Sequence, residues 1–128
     1  MKNFTNSIKK VMISSFVFFI LILSNSNKLS AKEIEWTQVA KTNNELQFID
    51  INSIRYNNNN LLSVVTKFSE INTDQEIINT NTYLIAIDCE NRLFSKLPVD
   101  GDPKQVKNWN KPFDDKLIKK TIINSCSY

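Results

Sequence analysis

The chain of 128 residues contains no histidine. That absence excludes serine–histidine and cysteine–histidine nucleophile pairs, the commonest devices of small hydrolases. Only two cysteines are present, Cys89 and Cys126. With no histidine beside them they fall short of a zinc ligand set, so no metal is expected. Glycine occurs once, at Gly101, and proline three times. Turns must therefore be made by other residues, and asparagine is the one that best tolerates positive φ. There is no glycine-rich phosphate loop and no cofactor motif, so no cofactor is expected.

The first 31 residues read as an export signal. Lys2, Lys9 and Lys10 supply a basic start, residues 11–23 (VMISSFVFFILIL) an apolar core, and Leu29-Ser30-Ala31 a small-residue cleavage site. The core is shorter than the roughly 20 residues of a membrane-spanning helix. An uncleaved N-terminal anchor is the competing reading, with Lys28 next to the cleavage site in its favour. No cysteine follows the apolar run, so no lipid-modified N-terminal cysteine is available.

Removing this segment changes the charge. The chain has 16 basic and 13 acidic side chains, and Lys2, Lys9, Lys10 and Lys28 leave with the signal. Nearly neutral, the remainder has no field to attract nucleic acid, and none is expected as a partner. A membrane would be met only through the signal, if it stays uncleaved. Residues 32–128 suffice for one small domain, whose core stabilises it only marginally. In an exported domain Cys89 and Cys126 are expected to pair, free thiols or an intermolecular bond being the alternatives.

Along residues 32–128, runs of alternating polarity predict an antiparallel sheet. Strands are expected at 35–41, 46–50, 61–68, 80–88 and 92–97, with a hairpin from 54–56 to 61. The links are too short for crossover helices. In the first strand Trp36, Gln38 and Ala40 share one face, and Thr37 and Val39 the other. A turn is expected at 50–53, with Asp50 and Ser53 bonding nearby backbone amides, and another at the asparagines 57–60. Residues 69–79 read as a polar loop. The run 80–88 (TNTYLIAID) is the expected central strand, with Tyr83, Ile85 and Ile87 in phase with Cys89 and facing the core.

Residues 113–124 change period. Leu117, Ile118, Thr121 and Ile122 form one helical stripe, which Cys126 continues. Asp114 is the expected N-cap, with Phe113 and Ile118 as a hydrophobic staple. The helix should lie on the sheet, its end tied to Cys89. The class is α+β, with about five to six strands and one C-terminal helix.

Several pieces resemble the surface-adhesin protein E-like family. They are Trp36, the 48–50 and 53–54 segment, Asp88-Cys89 with Arg92, and Trp109 and Pro112 leading into a helix closed by Cys126. The resemblance covers nearly all of 34–128. It implies a curved antiparallel sheet joined to its helix by a disulfide, and a role in binding host matrix and plasma proteins at the cell surface. It carries over no binding residue. The missing lipid-site cysteine favours a soluble periplasmic or secreted form over surface display.

Three functional readings follow. The first is a non-catalytic exported binding module for a protein or polysaccharide of the envelope or the exterior. Its candidate surface is the long connection 98–112, with Trp109 as an aromatic anchor and Lys104, Lys107 and Lys111 as cations. Lys116, Lys119 and Lys120 continue that basic run toward anionic polysaccharide or lipid headgroups. The second is a small hydrolase using a carboxylate pair, Asp88 with Glu90 or Asp100 with Asp102. The third is a subunit of an envelope assembly, or a homodimer, joined through the edge of strand one or of strand 92–97.

Overall fold

The computed structural model describes residues 31–57 and 60–128, which places the expected signal, but for Ala31, and Asn58 and Asn59 of the asparagine turn outside the described residues. In chain order the strands are β1 (Trp36–Lys41), β2 (Glu45–Asp50), β3 (Arg55–Tyr56), β4 (Leu61–Ile71), β5 (Ile77–Asp88) and β6 (Leu93–Leu97), followed by helix α1 (Lys116–Ser125). Three-residue 3₁₀ turns sit at Ile51–Ser53 and Pro103–Gln105. All pairings are antiparallel, in the order β1-β2-β4-β5-β6, with β3 also on β4.

β4 therefore occupies the middle of the sheet, where the sequence suggested the strand ending at Cys89. β5 is flanked on both sides only along Leu84–Asp88, where β6 meets it. Residues 69–79 are also strand for most of their length. β4 runs on to Ile71 and β5 begins at Ile77. The β-branched Ile71, Ile77 and Thr80 sustain the ladder despite its polarity, and the Ser69 and Thr80 hydroxyls bond across it at 3.0 Å. Only residues 72–76 turn, with Asn72 Oδ1 accepting the Asp74 and Glu76 amides.

Scarce glycine shows in the backbone. Asn60, Gln75, Arg92 and Phe113 all adopt positive φ. Asn60 closes the β3–β4 hairpin, as expected of an asparagine there. Gly101 is required by space rather than by φ. A Cβ there would lie 2.9 Å from both the Leu97 Cβ and the Pro98 carbonyl oxygen.

One face of the sheet carries the helix. Ile49, Leu62, Val64, Ile85 and Ile87 meet Ile118 and Ile122, with Cys89 and Cys126 packed beside them. Burying each of these branched side chains stabilises by about 1.5–3 kcal/mol. The predicted stripe holds: Leu117, Ile118, Thr121 and Ile122 are buried, and Ser125 joins them. The Cys89–Cys126 disulfide closes the arrangement, with Cα atoms 5.9 Å apart. Leu84 and Ala86, on the other face of β5, are buried as well. In β1 a register shift between Gln38 and Ala40 sets Ala40 opposite Gln47, on the helix face. The alternation read from sequence breaks at this bulge, and Val39 still packs on the core.

The start of α1 lies one residue later than the sequence suggested. Asp115, not Asp114, is the N-cap, its Oδ1 accepting the Ile118 amide at 3.0 Å. The Asp115 amide itself donates to the Pro112 carbonyl, so Phe113 and Asp114 are spent on a turn. Phe113 consequently points away from the helix stripe. It is 74% exposed and staples nothing.

Candidate functional site

The connection after β6 is long but well tied. The Gly101 amide donates to the Pro98 carbonyl, and Asp102 Oδ1 accepts the Lys104 amide to start the short 3₁₀ turn. Further on, Asn110 and Phe94 exchange both backbone hydrogen bonds, at 2.8 and 2.9 Å. This bridge lays the connection along the outer side of β6. Lys104, Lys107 and Lys111 are exposed along it, and Trp109 is half-buried. Phe113 completes this surface. Its φ of 42° is costly for a bulky side chain, yet its ring faces solvent. Sequence reasoning assigned that ring to a staple. The Pro112–Asp115 hydrogen bond that turns it outward has no sequence signature strong enough to have corrected the assignment.

A cleft of about 470 Å³ opens between the first turn of α1 and the sheet. Its floor holds Gln47, which is 1% exposed, and Tyr83. The Tyr83 hydroxyl donates to Gln47 Oε1 at 3.2 Å, while Gln47 Nε2 reaches only the Phe48 carbonyl, at a long 3.4 Å. Phe68, the strand neighbour of Gln47, lines one side. Glu45, Asp114 and Asp115 line the cleft together with Lys96 and Lys116. The Lys96 ammonium lies 5.0 Å from the centre of the Tyr83 ring. Such a cleft can hold a small polar or aromatic group. At its rim the Thr42 hydroxyl donates to Glu45 Oε2 at a long 3.4 Å. The sequence did carry one signal of it: Gln47 falls in phase with the buried Ile49, a polar residue in a core register.

On the opposite face of the sheet the Lys67 ammonium sits between two rings, 4.6 Å from Trp36 and 4.7 Å from Phe48. Contacts of this kind contribute about 0.5–1 kcal/mol at exposed sites. Trp36 is thereby engaged with its own sheet.

One acid of each pair suggested by sequence is held in a local turn. Asp88 accepts from Asn91 twice, from the side-chain amide at 2.9 Å and the backbone amide at 3.0 Å. These bonds, the side-chain one foremost, hold its carboxyl below the ordinary aspartate value. Asp102 is occupied in starting the 3₁₀ turn. Glu90 and Asp100 are exposed. Among the described residues no group of three or more acids or cysteines could hold a metal ion, and no helix is long and apolar enough to cross a membrane.

Compared with known proteins, the chain matches the family model of the surface adhesin-E family over residues 37–128. No curated protein and no solved structure matches it.

Proposed function

The chain belongs to the surface adhesin-E family, and from that premise we propose that it is an exported, non-catalytic binding module. Residues 1–31 are its cleaved signal, and residues 32–128 the working domain. It acts in the periplasm or the medium, or displayed at the cell surface. Its partner is a protein or polysaccharide of the envelope or the exterior.

Family membership over nearly the whole of the described domain is the observation that carries this reading. The Cys89–Cys126 disulfide supports it, because such bonds persist outside the reducing cytosol. The surface assigned to binding is the connection 98–115. It offers three exposed lysines, the half-buried Trp109 and the exposed Phe113 on a backbone fixed by the Asn110–Phe94 bridge. Aromatic residues on a rigid support lose little freedom on binding and dominate contact energies. A positive-φ phenylalanine held outward fits the tendency of backbone strain to gather at contact sites. The turn role of Asp88 counts against the hydrolase reading.

The test uses the exported protein on immobilised matrix proteins, plasma proteins and an anionic polysaccharide. Saturable binding to at least one is expected. The triple variant K104E/K107E/K111E should weaken it several-fold and flatten its salt dependence, and Phe113→Ala should weaken it independently of salt. Binding that neither variant changes would remove this surface from the account. Absence of binding to every class would remove the function.

A further inference from the structure

The face of the sheet that carries α1 continues past the first turn of the helix. Gln47 and Tyr83 stand on it two residues from Ile49 and Ile85, which pack in the core with Ile118. Phe68 is the partner of Gln47 on the neighbouring strand, so its ring rises from the same face. The cleft over these residues, about 470 Å³, falls within the range of small-molecule pockets, about 300–1,000 Å³.

Its floor is built from a buried polar pair. Gln47 is 1% exposed. Its Oε1 accepts the Tyr83 hydroxyl, while its Nε2 is bonded to the carbonyl of its own neighbour, Phe48, at 3.4 Å, beyond the ordinary length of such a bond. An amide nitrogen has two hydrogens to give. A buried donor so weakly paired costs stability, and a group entering the cleft that accepts from it removes that cost. The Tyr83 oxygen, having donated its proton, keeps lone pairs with which to accept. The floor thus sets a donor beside an acceptor, the complement of a hydroxyl group.

The walls disfavour a charged occupant. Asp114 and Asp115 stand at the N-terminus of α1, where their charge already answers the helix dipole, and Asp115 holds the Ile118 amide. With Glu45 they oppose an anion, while Lys96 and Lys116 oppose a cation. Hydroxyl groups use both kinds of wall, accepting from ammonium and donating to carboxylate. Lys96 lies over the Tyr83 ring, which leaves the half-buried Phe68 as the apolar wall.

We propose that this cleft binds a neutral mono- or disaccharide. Gln47 and Tyr83 hold its hydroxyls at the floor, and Phe68 packs against the C–H face of its ring. The site is separate from Trp109, Phe113 and the lysines of the 98–112 connection, and it does not depend on what those residues bind.

The exported protein, disulfide intact and labelled with nitrogen-15, is titrated with lactose, maltose, mannose and N-acetylglucosamine while its amide resonances are followed. Saturable shifts are expected with at least one sugar, at the Gln47 side-chain amide and at the Lys116 and Leu117 backbone amides. Added salt should change the affinity little. Gln47→Met, of similar volume, and Tyr83→Phe should each weaken binding about tenfold. Tyr83→Phe keeps the buried glutamine, so it serves should Gln47→Met disturb the fold. K104E/K107E/K111E should leave sugar binding unchanged. Absence of shifts at the cleft with every sugar overturns the proposal. So does sugar binding that Tyr83→Phe leaves intact or that the triple lysine variant abolishes. Tighter binding of acetate or of free glycine than of any sugar would also overturn it, since the occupant would then be charged.

Discussion

The Ser53 hydroxyl accepts the Val65 amide at 2.8 Å and donates to the Asp50 carbonyl at 2.7 Å. β2 and β3 lie one after the other along the same side of β4, on Thr66–Glu70 and on Leu62–Ser63. The 3₁₀ turn Ile51–Ser53 interrupts them, and Val65 falls in the gap. One side chain thus mends a break in the ladder. Ser53→Ala leaves the half-buried Val65 amide without its partner and should destabilise by about 1–2 kcal/mol, read as a lower urea midpoint at unchanged slope. A change within error would mean that solvent satisfies that amide.

The helix cap gives a paired prediction. Asp115→Ala removes the acceptor of the Ile118 amide and should cost about 1 kcal/mol. Asp114→Ala, one residue earlier and exposed, should cost much less. Thermal unfolding of the two variants separates them. Equal losses would mean that the cap is shared.

Ser125 is fully buried, and among the described residues its hydroxyl has no hydrogen-bond partner. A buried polar atom without a partner carries its desolvation cost uncompensated. Ser125→Ala should therefore leave stability unchanged or raise it by up to about 1 kcal/mol. A clear loss would show that the hydroxyl has a partner, such as a bound water.

These sites mark how far the sequence could be read. The helix stripe was legible because Leu117, Ile118, Thr121 and Ile122 repeat at helical spacing and are the residues buried. The disulfide was legible because one cysteine ends a strand in core phase and the other continues the stripe. The cap was missed by one residue because Asp114 and Asp115 are chemically equivalent, and only the turn at Phe113 decides between them. The Val39 bulge was missed because one extra residue leaves no trace in composition. The β4–β5 extension was missed because its pairing rests on cross-strand neighbours, such as Ser69 with Thr80, rather than on local polarity. At the candidate site, the exposed lysines of the 98–112 connection were legible from charge alone. Of the cleft only Gln47 in its core phase was legible, since Gln47, Tyr83 and Lys116 meet only through tertiary packing.

Asp88 supplies a pH dependence. Its carboxylate is held below the ordinary aspartate value, chiefly by the Asn91 side-chain amide and then by backbone amides. A depressed acid adds stability that is complete above its unfolded value and is lost as pH falls through its folded one. Wild type and Asp88→Asn should therefore differ at neutral pH and converge in strong acid. Parallel curves down to the lowest pH would deny Asp88 that role.

The central claim is that one covalent link fastens the end of α1 to the end of β5 in a protein that has left the cytosol. The loop it closes spans 37 residues, for which loop-closure entropy gives about 3–4 kcal/mol of stabilisation. Non-reducing peptide mapping of the exported protein tests this most directly. The account predicts one species joining the Cys89 and Cys126 peptides, with an N-terminus at residue 32. Both cysteines recovered as free thiols, on a chain that retains its first 31 residues, would contradict it.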